Sequence, residues 1–271
     1  MASRSPSPAA PPDLKAPRPI TLAIDVGGSG LKAMLLDAKG KPESERERID
    51  TPAVPTVRAV LGCLDSLAGL LPGFDRVSVG FPGVIKGGAT MCAVNLHPSW
   101  SGFPLEADLK TRWGKPVRIC NDADVQGFGA VRGKGVEMLV TLGTGVGSAL
   151  FIDGRLLPNL ELGHHPWKKK TYEDYLGRRG LGKHGKKAWN VLLRQAIGQW
   201  LATFNWDHLY LGGGNTKMIR FTLPENVTVV SNELGLLGGV ALWRDAYSKT
   251  RVGVSRSHRT QVDATSRERR S

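Results

Sequence analysis

The stretch Val117–Gly129, VRICNDADVQGFG, sets two carboxylates at the end of a short apolar run. Val117–Cys120 reads as a buried strand, and an acid at its end costs desolvation free energy that an idle side chain would not justify. Asp124 falls within the first turn of the helix that follows, where the helix dipole favours a carboxylate in any case. Asp122 stands at the strand-to-helix corner and is the better candidate for a general base.

Two glycine-rich loops supply a second kind of chemistry. DVGGSG (25–30) and LGTGVG (142–147) each join two apolar runs and offer backbone amides plus one hydroxyl, Ser29 or Thr144. Amides that converge in this way form anion nests, and facing each other across a cleft they would clamp a chain of phosphates. The same glycines also serve a tight hairpin turn. Neither loop is a dinucleotide fingerprint, because a strand follows where a helix is required, and neither has the lysine of a Walker loop. Asp25 ends the apolar run before the first loop, where a carboxylate beside phosphates would hold Mg²⁺ directly or through water. A third cluster, Gly212–Gly214, ends another strand, the position at which α/β folds place ligands.

In ELGHHPW (161–167), Glu161 and His164 are spaced to face one side of a turn. They suit hydrogen bonding to a polyhydroxylated ligand, or two of the three ligands of a metal whose third is missing. In NLHPSW (95–100) an amide and an indole lie close together, which suits a sugar or an ordinary loop over a buried Trp100.

The elements that position these residues follow from the hydrophobic pattern. Residues 22–40 and 139–155 share one layout, and an offset of 116 sets Gly27 on Gly143, Ser29 on Gly145, Ala33 on Ala149 and Asp37 on Asp153. Both read as β-hairpins of a duplicated unit. Helices are expected over 56–71, 105–113, 188–204 and 235–247, and strands over 76–83, 116–120, 208–214 and 227–231. Strands alternating with helices give an α/β class. The repeat divides it into two lobes, 19–122 (completed by the helix at 233–247) and 123–232, with a cleft between them.

The Pro/Ser/Ala-rich residues 1–18 and the basic residues 248–271 are expected to be disordered tails. The chain has 271 residues and a formal charge of +13. Outside the tails the charge concentrates in residues 167–187, where eight Lys/Arg face two acids. Such a field attracts polyanions, or it is a solvated face. Cys63, Cys92 and Cys120 match no metal or disulfide spacing, and neither a signal peptide nor a membrane span is visible, so a reduced cytoplasmic compartment is expected.

Seven segments in order, LAIDVGGSGLKAMLLD, VGFPGVI, NLHPSWSGFPL, CNDADVQGFG, VTLGTGVGSALFIDG, ELGHH and LYLGGG, resemble the ROK sugar kinases, most nearly their polyphosphate glucokinase branch. The resemblance covers about residues 20–247. It implies an actin-like ATPase (ribonuclease H-like) fold with a mixed sheet in each lobe and a homodimer. It also implies phosphoryl transfer to the 6-hydroxyl of glucose from polyphosphate, ATP or both, with Mg²⁺ as cofactor. Carried over by residue, Asp122 is the base, and Asn95, Asn121, Glu161 and His164 bind the sugar. The donor falls to Asp25, Gly27, Gly28, Ser29, Gly30, Lys32, Thr144, Gly145, Gly213 and Gly214. Many members carry a cysteine-rich zinc site after the Glu-x-Gly-His segment; HPWKKKTYEDYLGRRG has no cysteine, so no zinc is expected. Two other readings stand beside the kinase: an inactive sugar- or polyphosphate-binding module, and a sugar-responsive regulator. The regulators carry an N-terminal helix-turn-helix, which the residues before Ile20 are not expected to form. Nucleic acid and membrane are not expected partners.

Overall fold

The computed structural model describes residues 19–93 and 96–244. Both expected tails, Val94, Asn95 and the last residues of the helix expected at 235–247 lie outside the described residues.

The first half runs β1 (Thr21–Val26), β2 (Leu31–Leu36), β3 (Glu47–Ile49), α1 (Val57–Leu70), β4 (Arg76–Phe81), β5 (Ile85–Lys86), β6 (Ala89–Thr90), α2 (Leu105–Trp113), β7 (Val117–Asn121) and α3 (Asp122–Ala130). The second runs β8 (Val136–Leu142), β9 (Val146–Ile152), β10 (Arg155–Leu157), β11 (Pro166–Trp167), β12 (Lys170–Thr171), α4 (Tyr172–Leu176), α5 (Arg178–Phe204), β13 (His208–Gly212), β14 (Val227–Val229) and α6 (Leu234–Leu237).

Two five-stranded sheets result, ordered β3-β2-β1-β4-β7 and β10-β9-β8-β13-β14. In each, a central hairpin pairs antiparallel (β1 with β2, β8 with β9) and two further strands add in parallel on one side. The duplicated glycine hairpins of the sequence are therefore the centres of two sheets of the same topology. The edge strands that flank the hairpins, β3 and β10, are too short to carry an alternating pattern, and the sequence gives no sign of them.

The outer face of the first sheet packs on α1 and α2 through Leu22, Ile24, Leu64, Leu67, Phe81, Trp100 and Leu109. The outer face of the second packs on α4 and α5 through Trp189, Leu193, Ala196, Ile197 and Trp200, a stripe at helical spacing. Full burial of one such side chain contributes about 1.5–3 kcal/mol. Between the sheets, α3 lies on the second sheet, against Leu139, Ala149 and Phe151, while α6 lies on the first, against Ala23, Met34 and Leu36. Glycines let these two inner helices touch main chain to main chain, since a Cβ at Gly238 would overlap the carbonyl oxygen of Val125.

Two expectations are corrected. The helix expected to begin at residue 188 begins at Arg178 and is broken at Gly185, where φ is 70°. The single helix expected at 235–247 is a short α-helix followed by a 3-10 segment, Gly238–Trp243. Its glycines yield close packing on α3 and β4 instead of helix continuity; the Ser78 hydroxyl donates to the Gly239 carbonyl at 2.8 Å. Of the two readings of Trp100, the buried one holds: it is 1% exposed and its indole N–H donates to the Pro55 carbonyl, which leaves no open face for a sugar.

Candidate active site

The cleft between the sheets holds a cavity of about 370 Å³. Its walls begin at the two hairpin turns. Gly27 donates to the Gly30 carbonyl at 3.1 Å, three residues on, and Gly143 to the Gly145 carbonyl at 3.0 Å, two residues on, so each turn is closed from its first glycine. The second turn is tied down from two sides: its Gly143 carbonyl accepts from the Arg178 amide at 2.9 Å and from Asn215 Nδ2 at 3.0 Å. Gly27, Gly28, Ser29, Thr144 and Gly145 line the cavity, as do Gly213 and Gly214. Gly30 does not: a Cβ there would meet the Arg48 guanidinium at 2.7 Å, so this glycine gives Arg48 room behind the turn.

Asp122 is the first residue of α3. Its position is set by Asn121, whose Oδ1 caps the helix by accepting the amides of Ala123 at 2.8 Å and Asp124 at 3.2 Å. The other end of that amide, Nδ2, donates to the Gly83 carbonyl at 3.3 Å. Asn121 thus lines the cavity while holding the helix start, a second use that the resemblance did not suggest. Burial, together with the nearby charge of Asp25, raises the Asp122 pKa to about 7. A carboxylate held there is half ionised near neutrality and accepts a proton more readily than an ordinary aspartate.

Asp124 sits in the same first turn but faces away from the cavity. It is 1% exposed; Oδ2 lies 3.6 Å from Cys120 Sγ and 3.4 Å from the Asn159 amide, and Oδ1 has no partner among the described residues. Burial raises its pKa to about 8.

Glu161 and His164 approach from the second half, with Nε2 of His164 3.5 Å from Oε2 of Glu161. Burial raises the Glu161 pKa, and His164 opposes the shift. Their loop is pinned on both sides. The Ser148 hydroxyl bonds the Leu160 carbonyl and accepts from the Leu162 amide at 3.1 Å. On the other side the Asn159 side chain reaches across the cleft, accepting from the Ile85 amide at 3.0 Å and donating to the Ile85 carbonyl at 3.1 Å. Asn159 has a φ of 58°, a left-handed conformation that asparagine tolerates better than most residues. His165 is exposed, with its ring 6.3 Å from that of Tyr172.

Asp25 pairs with Lys32 at 2.8 Å, and both line the cavity. Sequence reasoning missed Glu173, Arg178 and Asn232. Glu173 accepts the Val146 amide at 3.0 Å, Asn232 Oδ1 accepts the Gly213 amide at 2.9 Å, and Arg178 joins Lys32 as a cation of the wall. Arg178 belongs to the basic segment that sequence analysis singled out, which was the only signal available. The charge balance of this wall bears on Mg²⁺. Four carboxylates (Asp25, Asp122, Glu161, Glu173) face two fixed cations (Lys32, Arg178), so a phosphate chain would enter a site with net negative charge. Mg²⁺ keeps most of its waters and needs one or two carboxylates plus substrate phosphates. Asp25, beside the first glycine turn, meets that requirement.

Residues 21–180 match the family model described as ROK family. Polyphosphate glucokinase of Mycobacterium tuberculosis (strain H37Rv) is 32% identical over 238 residues, covering 79% of this chain and 88% of the relative. Among solved structures, an inorganic polyphosphate/ATP-glucomannokinase from Arthrobacter sp. strain KM is 31% identical, with a TM-score of 0.76 over 83% of this chain and 100% of the other. A ROK family glucokinase from Streptomyces griseus, in complex with glucose and AMPPNP, shares the fold at 18% identity, with a TM-score of 0.67 over 82% of this chain and 98% of that one. The two sheets, the paired inner helices and the cleft between them make this an actin-like ATPase fold. The chain belongs to the ROK family. The relatives reported above are kinases whose names specify sugars.

Proposed function

We propose that this protein is a glucokinase that transfers a phosphoryl group from inorganic polyphosphate, ATP or both to the 6-hydroxyl of glucose. The observation that carries this reading is the placement of Asp122: a carboxylate with a pKa near 7 at a helix start, opposite Glu161 and between two glycine turns. Asp122 accepts the proton of the hydroxyl as its oxygen attacks the terminal phosphorus. Glu161 and His164, on their pinned loop, orient the sugar, with Asn121 and Asn95 contributing amides. The turns at Gly27–Ser29 and Thr144–Gly145, with Gly213 and Gly214, hold the donor, and Lys32 and Arg178 face its charge. Mg²⁺, when bound at Asp25, supplies positive charge to the phosphates. Catalysis of this kind rests on positioning and electrostatics.

The donor assignment is supported by the polyphosphate named for the relatives at about one-third identity. The test is glucose 6-phosphate formation by the purified protein with Mg²⁺, comparing ATP with long-chain polyphosphate, alongside Asp122→Ala. Product that depends on Asp122 supports the reading. Absence of product with either donor would overturn it for glucose, and mannose and N-acetylmannosamine would be tried next.

A further inference from the structure

Helix α5 carries positive charge away from the cleft. Its first residue, Arg178, lines the cavity, and beyond the break at Gly185 the helix presents Lys186, Lys187 and Arg194 to a second groove of about 580 Å³, shared with Arg220 and Phe221. Both elements that line this groove start at the donor end of the cleft. One is α5 itself. The other follows Gly213 and Gly214, which line the cavity, through a 3-10 segment ending at Met218, two residues before Arg220.

The groove is built in advance of any ligand. Asn190 ties its two sides together, with Nδ2 donating to the Met218 carbonyl at 2.9 Å and Oδ1 accepting the Arg220 amide at 2.7 Å. The Arg220 guanidinium is held by the carbonyls of Lys217 and Ile219, each at 2.8 Å, and that of Arg194 lies 4.8 Å from the centroid of Phe221. No carboxylate lines the groove. Among the described residues, none of its four cations is in an ion pair. Four unneutralised cations in one groove call for a ligand with repeated negative charge. Its aromatic ring, Phe221, is already covered by Arg194, so the groove lacks the open stacking platform that single-stranded nucleic acid uses. Beyond the break at Gly185, Lys186 and Arg194 stand roughly 12 Å apart at the ordinary helical rise.

We propose that this groove binds the distal part of an inorganic polyphosphate chain whose end lies in the cleft, so that the protein prefers long chains to short ones. The proposal rests on the phosphate-polymer donor proposed above.

Two variants test it, Lys186→Glu/Lys187→Glu and the milder Lys187→Gln/Arg194→Gln, each checked for an unchanged melting temperature. Turnover is measured with tripolyphosphate and with long-chain polyphosphate. The expected result is a long-chain KM raised by about tenfold or more in the charge-reversed variant, less in the milder one, with tripolyphosphate and glucose constants unchanged. A long-chain KM that stays put, or one that rises in step with the tripolyphosphate KM, would overturn the groove. If the wild type turns over no polyphosphate at all, the donor reading fails separately, and equilibrium binding of long-chain polyphosphate then tests the groove. Binding lost in the variants supports it. Binding kept in the variants, or displaced equally well by an oligothymidylate of the same charge, overturns it.

Discussion

Asn121 and Asp122 share one donor: the amide of Ala123 lies 2.8 Å from Oδ1 of Asn121 and 2.8 Å from Oδ1 of Asp122. The helix cap and the proposed base are therefore locked to the same point of the backbone. Asp122→Ala removes the base and leaves the cap, and is expected to lower kcat by about 10²–10⁴-fold with little change in glucose KM. Asn121→Ala removes the cap, at a cost of about 1 kcal/mol in stability, and frees the start of α3. It is expected to lower kcat as well, through a misplaced Asp122. Steady-state kinetics and thermal melts on the two variants separate these effects.

The proposed base must be ionised to work. With its pKa raised to about 7 by burial and by Asp25, activity is expected to rise with pH through a midpoint near neutrality and then level off. The Asp122 carboxyl, followed by carbon NMR in the free protein, should titrate at that same midpoint. Asp25→Asn removes a negative charge and should move the titration downward, although burial, the larger cause, remains. A titration left in the ordinary aspartate range would remove the electrostatic basis of the assignment.

Asp124 makes a stability prediction of definite sign. Its folded pKa, about 8, lies above the ordinary value of 3.8, so between those limits the folded state holds more protons than the unfolded chain. Stability from this group is then complete below about pH 4 and declines as pH rises toward 8. Asp124→Asn, which cannot ionise, should melt higher than the wild type at pH 8, with the gap closing toward pH 4. A gap independent of pH would show that the carboxyl ionises as freely when folded as when unfolded.

The contact between the inner helices leaves no room for a methyl group. Gly238 has ordinary helical geometry, with a φ of −65°, so alanine there meets no backbone strain, only the Val125 carbonyl. Gly238→Ala is expected to destabilise the protein by about 1–3 kcal/mol, visible in denaturant titration. Gly62→Ala in α1, where a methyl group would meet nothing, serves as the control and should be neutral or slightly stabilising.

Much of this architecture was legible because its signals are local. The two hairpins announce themselves by apolar runs around glycine turns, and Asp122 and Glu161 each sit in a short segment with chemical meaning. Helix α5 begins ten residues before its expected start, because Gly180 and Gly182 depress helix propensity in the turns before Gly185, where the helix does break. The segment after Leu234 was read as one helix, because an apolar pattern does not show that Gly238 and Gly239 are needed for close approach. Glu173, Arg178 and Asn232 were invisible as site residues: each serves the cavity from an element assigned for other reasons, and only the folded chain brings them to the turns. Lys32 illustrates the converse, a residue found by motif whose ion pair with Asp25 is seen only in three dimensions.

The clasp between Asn159 and Ile85 redraws the mechanical partition of the molecule. In the chain the β5–β6 hairpin lies between β4 and β7 of the first sheet, yet two hydrogen bonds fasten it to the loop that carries Glu161. Any widening of the cleft must either break both bonds at once or pull the hairpin from the first half, where the Thr90 amide donates to the Phe103 carbonyl at 2.9 Å and the Gly88 carbonyl accepts from the Glu106 amide at 3.0 Å. Either route breaks hydrogen bonds, so the hairpin is a strut between the two halves and the cleft opens only against it.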